Sequence, residues 1–88
     1  SVIHFNSEWN EKNNFDISVL KDCEIDNVVI CHNPELQDKY KIKSVPTIII
    51  FDEQRESIRF EANIMMELVV TKKELQSEID NIYLKKFE

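Results

Sequence analysis

The sequence predicts an α/β domain in which a mixed four-stranded sheet carries helices on both faces. Short apolar runs alternate with polar, helix-compatible segments in the order strand, helix, strand, helix, strand, strand, helix. The length of 88 residues is sufficient for one domain. A hydrophobic fraction of 42% can form a compact core and is too high for a disordered chain.

The first half of the chain is predicted to contain two strands joined by a helix. Residues 2–5 form an apolar run that is typical of a buried strand. The polar stretch 6–14 is predicted to lead into a helix that runs to about Asp22. Residues 25–30 are predicted to form the second strand.

The second helix has the clearest local signals. Asn33 is a favourable N-cap, and Pro34 suits the first helical position, so a helix is expected from there to about Tyr40. Pro46 precedes residues 47–51, a continuous and mostly β-branched run. Such a run predicts a central strand that is covered on both faces.

The last two elements are a strand and a helix. Residues 57–61 alternate between apolar and polar side chains, which predicts a strand with one wet face. Thr71 and Glu74 form a capping box at the start of the final helix. Two right-handed crossovers would give three parallel strands, and a hairpin would add an antiparallel one.

The composition excludes several classes of function. With 11 basic and 17 acidic side chains, the net charge is −6, which argues against a nucleic-acid partner. No apolar run approaches the ~18–20 residues of a membrane span, and residues 1–4 already resemble a strand, so no signal peptide is expected. The chain contains no glycine, so a glycine-rich phosphate loop is excluded. Positive φ angles should then fall mostly on Asn or Asp.

The two cysteines, Cys23 and Cys31, are expected to be free thiols. Eight residues of strand between them would span ~26 Å, whereas a disulfide needs Cα atoms within ~7 Å. Free thiols indicate the cytoplasm or another reducing compartment. Both side chains are expected to be small buried hydrophobic groups.

The sequence resembles the thioredoxin family, because several residues match that family at the same mutual spacing. The chain lacks the first strand and helix of the family. The resemblance covers nearly the whole chain and is strongest in residues 2–10 and 33–51. The matching residues are Phe5, Glu8, Trp9, Asn33, Pro34, Lys39, Tyr40, Ile42, Val45, Pro46 and Thr47. It implies a single thioredoxin-like domain over residues 1–88, with excision from a longer chain as an open alternative.

The resemblance also implies a binding site. In this family the Val45–Pro46 bond would be cis, which is uncommon among X–Pro bonds. In the family, the backbone before that proline pairs with an extended substrate peptide, and the resemblance implies the same here. Trp9, Asn10 and Asn13 would lie beside residues Val45, Pro46 and Thr47, and these six residues are the predicted binding site for a protein partner.

The departures from the family concern the thiol chemistry. Asn10 and Asn13 stand where the family has its two redox cysteines, and His4 stands where it has a buried aspartate. A carboxamide cannot become a thiolate or form a mixed disulfide. The leading hypothesis is therefore a redox-inactive protein-binding or scaffold module, with no cofactor, no metal and no membrane or nucleic-acid partner.

Two alternatives remain open at this point. The chain could be a thiol-disulfide oxidoreductase that uses Cys23 or Cys31, which requires an exposed thiol with a lowered pKa. It could also resemble the N-terminal domain of a monothiol glutaredoxin, whose iron–sulfur chemistry would lie elsewhere in a longer chain.

Several candidate residues have a structural interpretation beside the functional one. Asn10 and Asn13 could present amides to a peptide, but an N-cap role is favoured. Trp9 is either a partner anchor or a cover for the first helix. His4 is expected to be a buried neutral histidine. His32 beside Cys31 suggests a metal, but neighbours in a strand face opposite sides and no third ligand is apparent.

Residues 64–70 form an apolar segment between the last strand and the last helix. One interpretation is additional core. The other is a contact surface, including self-association through Ile64, Met65, Met66 and Leu68.

Overall fold

The computed structural model describes residues 1–85. The chain forms one mixed four-stranded sheet with helices on both faces, as predicted. The strands are β1 (Val2–Asn6), β2 (Ile25–Val29), β3 (Thr47–Asp52) and β4 (Arg55–Glu61), and the helices are α1 (Pro34–Tyr40) and α2 (Lys72–Lys85). Two short 3₁₀ segments, Glu8–Asn13 and Ile30–His32, follow β1 and β2.

The strand order is β2-β1-β3-β4, with β1 parallel to β2 and antiparallel to β3. The prediction that β1, β2 and β3 are parallel was therefore wrong, because β3 runs antiparallel to both of its neighbours, β1 and β4. A helix rises ~1.5 Å per residue, so the seven residues of α1 span only about 10 Å. The chain re-enters the sheet where β2 ends, and Thr47 pairs with Phe5 at the end of β1.

The predicted helix ending near Asp22 is absent. After the first 3₁₀ segment, residues 14–24 are irregular, although Ile17 and Leu20 are buried. The side chain of Asp16 accepts hydrogen bonds from the backbone N–H and the hydroxyl of Ser18. Such local side-chain bonds compete with helix formation. The apolar residues reach the core through a turn, in which the Leu20 N–H donates to the Ile17 carbonyl at 3.1 Å.

The two faces of the sheet carry separate hydrophobic clusters. Ile48 and Ile50 of β3 pack with Val2, Ile17, Leu20, Leu75 and Ile79 on the α2 face. Ile49 packs with Phe5, Ile30, Ile42 and Val45 on the other face. All three isoleucines of β3 are at most 2% exposed, so the prediction of a central strand covered on both faces is confirmed.

Both helices begin where the sequence predicts. Pro34 is the first residue of α1, and the Asn33 carbonyl accepts the Leu36 N–H at 3.0 Å. The Asn33 side chain makes no capping bond and instead donates to the Val29 carbonyl at 2.9 Å. At α2, the Thr71 hydroxyl accepts the Glu74 N–H at 3.1 Å, which is one half of the capping box.

Among residues 1–85, positive φ angles occur at Asp22, Lys41, Glu53 and Met66. Three of these are neither Asn nor Asp, so the expectation for a glycine-free chain was wrong. The geometry of the turns and of the end of α1 requires a positive φ at these positions. The residues found there adopt the left-handed region despite its steric cost. Within residues 1–85, no helix combines the length and the apolar composition that crossing a membrane requires.

Candidate functional site

The candidate site forms at one edge of the sheet, where the two parallel strands end. Asn6 pairs with Val29, the last residue of β2. Each strand leads directly into a 3₁₀ segment, and β3 begins beside them at Thr47. The strand register therefore brings three loops together: residues 7–13, residues 30–33 and residues 42–46.

Asn10 is the central hydrogen-bonding residue of this edge. It is 6% exposed, and its φ and ψ of −111° and 22° interrupt the first 3₁₀ segment. Its side-chain nitrogen lies 3.2 Å from Asn6 Oδ1, 3.0 Å from the Val45 carbonyl and 3.3 Å from the Met66 carbonyl. A buried amide with these partners links residues 7–13 to β1, to residues 42–46 and to Met66, and it has no free N–H direction for a ligand.

Asn13 supports Asn10. Its side-chain nitrogen donates to Asn10 Oδ1 at 3.0 Å, and Asn6 in turn donates to Asn14 Oδ1 and to the Asn10 carbonyl. The favoured N-cap role of Asn10 and Asn13 was wrong, because the N-cap position belongs to Ser7. The two residues are instead part of an amide network made by Asn6, Asn10, Asn13 and Asn14.

The predicted residues Val45, Pro46 and Thr47 are buried at this edge. The Val45–Pro46 bond is cis, as the resemblance implies. Val45 is 4% exposed, and Thr47 donates its hydroxyl to the Ser44 carbonyl at 2.7 Å. The Val45 carbonyl already accepts a bond from Asn10, so the internal amide occupies one of its two acceptor directions.

We call residues 42–46 the proline loop. An open groove with a volume of about 240 Å³ lies beside it. Trp9 is 67% exposed and forms part of its lining, with Val45 and Met66. The other lining residues are Ser7, Ile30, Cys31, Gln37, Ile42, Lys43 and Ser44. Of the six predicted site residues, the groove therefore contains Trp9 and Val45.

The two thiols are free, and they lie in different environments. Cys31 is exposed and lines the groove, which contradicts the expectation that both cysteines are buried. Cys23 is half-buried and packs against the cluster on the α2 face. Burial raises the pKa of the Cys23 thiol, and the neighbouring Asp22 adds to this, while the chain's amino terminus acts in the opposite direction.

His4 is buried and uses both ring nitrogens. Its Nδ1 lies 3.1 Å from Asn27 Oδ1, and the Phe15 backbone N–H donates to its Nε2 at 3.3 Å. This arrangement requires the neutral ring with the proton on Nδ1. Burial lowers the pKa of His4, and the bond to Asn27 opposes the shift only in part.

A cluster of metal-binding residue types lies at the ends of the two parallel strands. The ligand atoms of Glu8, Cys31 and His32 all lie within 4.8 Å of one another. His32 Nε2 is 2.8 Å from Glu8 Oε1. Both premises against a metal were wrong, because Cys31 and His32 lie in a 3₁₀ turn after the strand and Glu8 is a third residue of a metal-binding type beside them.

The sequence analysis missed Glu8, although a signal for it was present. Because β1 and β2 were predicted to be parallel strands of one sheet, the residues just beyond their ends were expected at the same side of the sheet. Met66 was also missed as a neighbour of the proline loop, since its contact with Asn10 depends on a long connection that no local pattern reveals.

Residues 64–70 were predicted to be either additional core or an exposed contact surface, and the segment is partly buried and partly exposed. Leu68 and Val70 pack against the hydrophobic cluster on the α2 face. Ile64, Met65 and Val69 are 96%, 66% and 76% exposed. The Asn63 side chain accepts the backbone N–H groups of Met65 and Glu67, which shapes the turn at the start of the segment.

The element order, the strand order and the proline loop together define a thioredoxin-like fold. No protein-family model and no curated protein sequence matches the chain. Among solved structures, thioredoxin 1 from the thermophilic eubacterium Thermosipho africanus is similar, with a TM-score of 0.70 at 19% sequence identity. The match covers 99% of this chain and 98% of that chain. At this level of identity, the similarity identifies the fold.

Proposed function

We propose that this chain is a thioredoxin-like protein-binding module without thiol redox activity. The observation that carries the proposal is the amide of Asn10, which stands where the resemblance places a redox cysteine and is bonded to the Val45 carbonyl at 3.0 Å. A buried carboxamide supplies no nucleophile. The residue that would attack a disulfide is replaced by one that holds the proline loop in place.

The groove beside that loop is the proposed binding surface. Its volume of about 240 Å³ suits one or two side chains of an extended segment. Trp9 offers a large, exposed aromatic ring, and Trp is enriched among residues that dominate binding energy. Val45, Pro46 and Thr47 are buried, so we assign them to the floor and support of the groove and Trp9 to the direct contact.

Binding is tested with peptides selected from a displayed random library on the immobilised protein. Trp9 is the only tryptophan, so its fluorescence reports on the groove of the wild type, and the anisotropy of a labelled peptide measures the affinity of every variant. We expect Trp9→Ala to weaken binding of a selected peptide at least about ten-fold, consistent with loss of a central aromatic contact. Leu84→Ala, which changes an exposed apolar residue on α2, should leave the affinity unchanged. Equal binding by wild type and Trp9→Ala would refute the groove as the site.

The absence of redox activity is tested by insulin reduction with dithiothreitol as the electron source. We expect turnover equal to the buffer blank, with a bacterial thioredoxin as the positive control. Turnover above the blank that disappears in Cys23→Ser or Cys31→Ser would overturn the redox-inactive assignment.

A second candidate function is thiol chemistry at Cys31. The observation in its favour is that this thiol is exposed and lines the groove, whereas burial raises the pKa of Cys23. Iodoacetamide labelling of the folded protein at neutral pH separates the two functions. Slow labelling of both thiols, at the rate of an unactivated cysteine or below, would exclude the oxidoreductase.

The chain could also serve as a domain of a longer protein that bears a monothiol glutaredoxin. This proposal rests on the resemblance of residues 4–9 to the start of the corresponding domain. The sequence of the full gene tests it, since a glutaredoxin sequence must follow in the same reading frame.

A further inference from the structure

We propose that Glu8, Cys31 and His32 together form a binding site for Zn²⁺. The three residues supply a carboxylate, a thiolate and an imidazole, whose ligand atoms lie within 4.8 Å of one another. In a tetrahedral zinc site with bonds of about 2.0–2.3 Å, ligand atoms are roughly 3.3–3.7 Å apart. Small side-chain rotations therefore suffice to bring the three atoms around one ion.

The backbone on both sides of this site is held in place. The Asn33 backbone N–H donates to the Ile30 carbonyl and its side chain to the Val29 carbonyl, which fixes the turn that carries Cys31 and His32. On the other side, Ser7 is buried and its carbonyl accepts the Asn10 N–H at 3.0 Å. The ligands thus project from two anchored loops at the ends of paired strands, and the site does not depend on a flexible segment.

The ligand chemistry selects the class of metal. A thiolate and an imidazole favour Zn²⁺ and similar transition metals over Mg²⁺ or Ca²⁺, which prefer oxygen ligands. On binding, the Cys31 thiol loses its proton, so the thiolate and the Glu8 carboxylate together balance the charge of the ion. Three protein ligands leave a fourth position for water or for a group from another molecule.

The alternative is a surface ion pair between His32 and Glu8 that binds no metal. The two side chains are 61% and 66% exposed, and an exposed pair of this kind contributes little to stability. The position of Cys31 distinguishes the two interpretations, because a thiol plays no part in the ion pair and is a strong zinc ligand.

The first experiment titrates the reduced protein with Co²⁺, which replaces Zn²⁺ and gives a thiolate charge-transfer absorption in the near ultraviolet. We expect saturation at one equivalent, displacement of Co²⁺ by Zn²⁺, and no displacement by Mg²⁺. Cys31→Ser should abolish the thiolate band, and His32→Gln and Glu8→Gln should each weaken binding at least about ten-fold. Cys23→Ser removes the other thiol and is the matched control, which should bind as the wild type does.

The second experiment measures alkylation of each thiol by iodoacetamide, with and without Zn²⁺, by peptide mass spectrometry. We expect Zn²⁺ to slow alkylation of Cys31 and to leave Cys23 unchanged. The absence of a saturable one-equivalent complex in the wild type would overturn the proposal. So would a thiolate band that survives Cys31→Ser, or full affinity in Glu8→Gln. Neither measurement involves a peptide partner, so the outcome is independent of the proposed groove function.

Discussion

The two segments that connect the first three strands, residues 7–24 and residues 30–46, keep their shapes by different means. The second is organised around α1, a helix with hydrogen bonds within its own backbone. The first contains no α-helix, and the side-chain amides of Asn6 and Gln76 bond to its backbone instead. The comparison teaches that a crossover without an α-helix can be held by side-chain amides, here the network of asparagines and Gln76.

The two segments also differ in the contacts by which they pack against the rest of the molecule. Tyr40, near the end of α1, packs against Phe5 and Phe51 with ring centroids 5.4 Å and 5.7 Å away. Arg59 of β4 donates to the Tyr40 carbonyl at 2.7 Å and caps the helix end. The first segment has its apolar anchor in Ile17, which is 1% exposed in an irregular stretch. Its stability should therefore depend on a few side chains.

The largest expected effect is at Ile17. We expect Ile17→Ala to lower the free energy of unfolding by about 2–5 kcal/mol, because it leaves a cavity in the cluster on the α2 face. Urea denaturation followed by circular dichroism measures the change. Val19→Ala, two residues away and 51% exposed, is the control and should change stability by less than about 0.5 kcal/mol. Equal effects of the two substitutions would mean that the first segment is not anchored by Ile17.

The next largest effect is expected at Asn10. Asn10→Ala removes the amide that links the Val45 and Met66 carbonyls, and should destabilise the protein by about 2–3 kcal/mol. Asn13→Ala removes a single bond to the same network, so we expect a loss of about 1 kcal/mol. The same urea experiment compares the two variants. A neutral Asn10→Ala would contradict the role of the amide network.

A pH-dependent effect is expected at His4, which joins the first segment to the sheet. The pKa of His4 in the folded protein is lowered from its ordinary value of 6.5. The unfolded chain therefore takes up the proton first, and stability should fall as the pH drops through about 6.5 toward the lower folded value.

Thermal unfolding at about pH 7.5 and about pH 5.5 measures this loss. His4→Gln should flatten the pH dependence because a carboxamide does not titrate. His32→Gln removes the exposed histidine and should retain the dependence. If His32→Gln abolished it and His4→Gln did not, the assignment to the buried ring would be wrong.

The smallest effect is expected in the second segment, at Lys41. This residue follows α1 with a φ of 53°, a left-handed conformation that suits glycine. We expect Lys41→Gly to stabilise the protein by about 0.5 kcal/mol. The same change at Lys39, inside α1, should destabilise it by about 1 kcal/mol. Shifts of the melting temperature in opposite directions would confirm that the effect of a Lys→Gly change depends on its position relative to the end of the helix.

The local signals in the sequence were sufficient for many of the regular elements. Pro34 begins α1, Thr71 precedes α2, and the apolar run after Pro46 forms β3, because each signal depends on neighbouring residues alone. The thioredoxin-like fold follows from the same residues through the resemblance, and the similar solved structure supports it.

The direction of β3, the irregular first segment and the contacts of Asn10 were decided by the tertiary structure. Asn10 and the Val45 carbonyl are 35 residues apart in the chain, and their bond depends on the strand register. The cluster of Glu8, Cys31 and His32 likewise forms only when β1 and β2 end side by side. Sequence patterns describe which residues a segment offers, whereas packing between distant segments decides which of them meet.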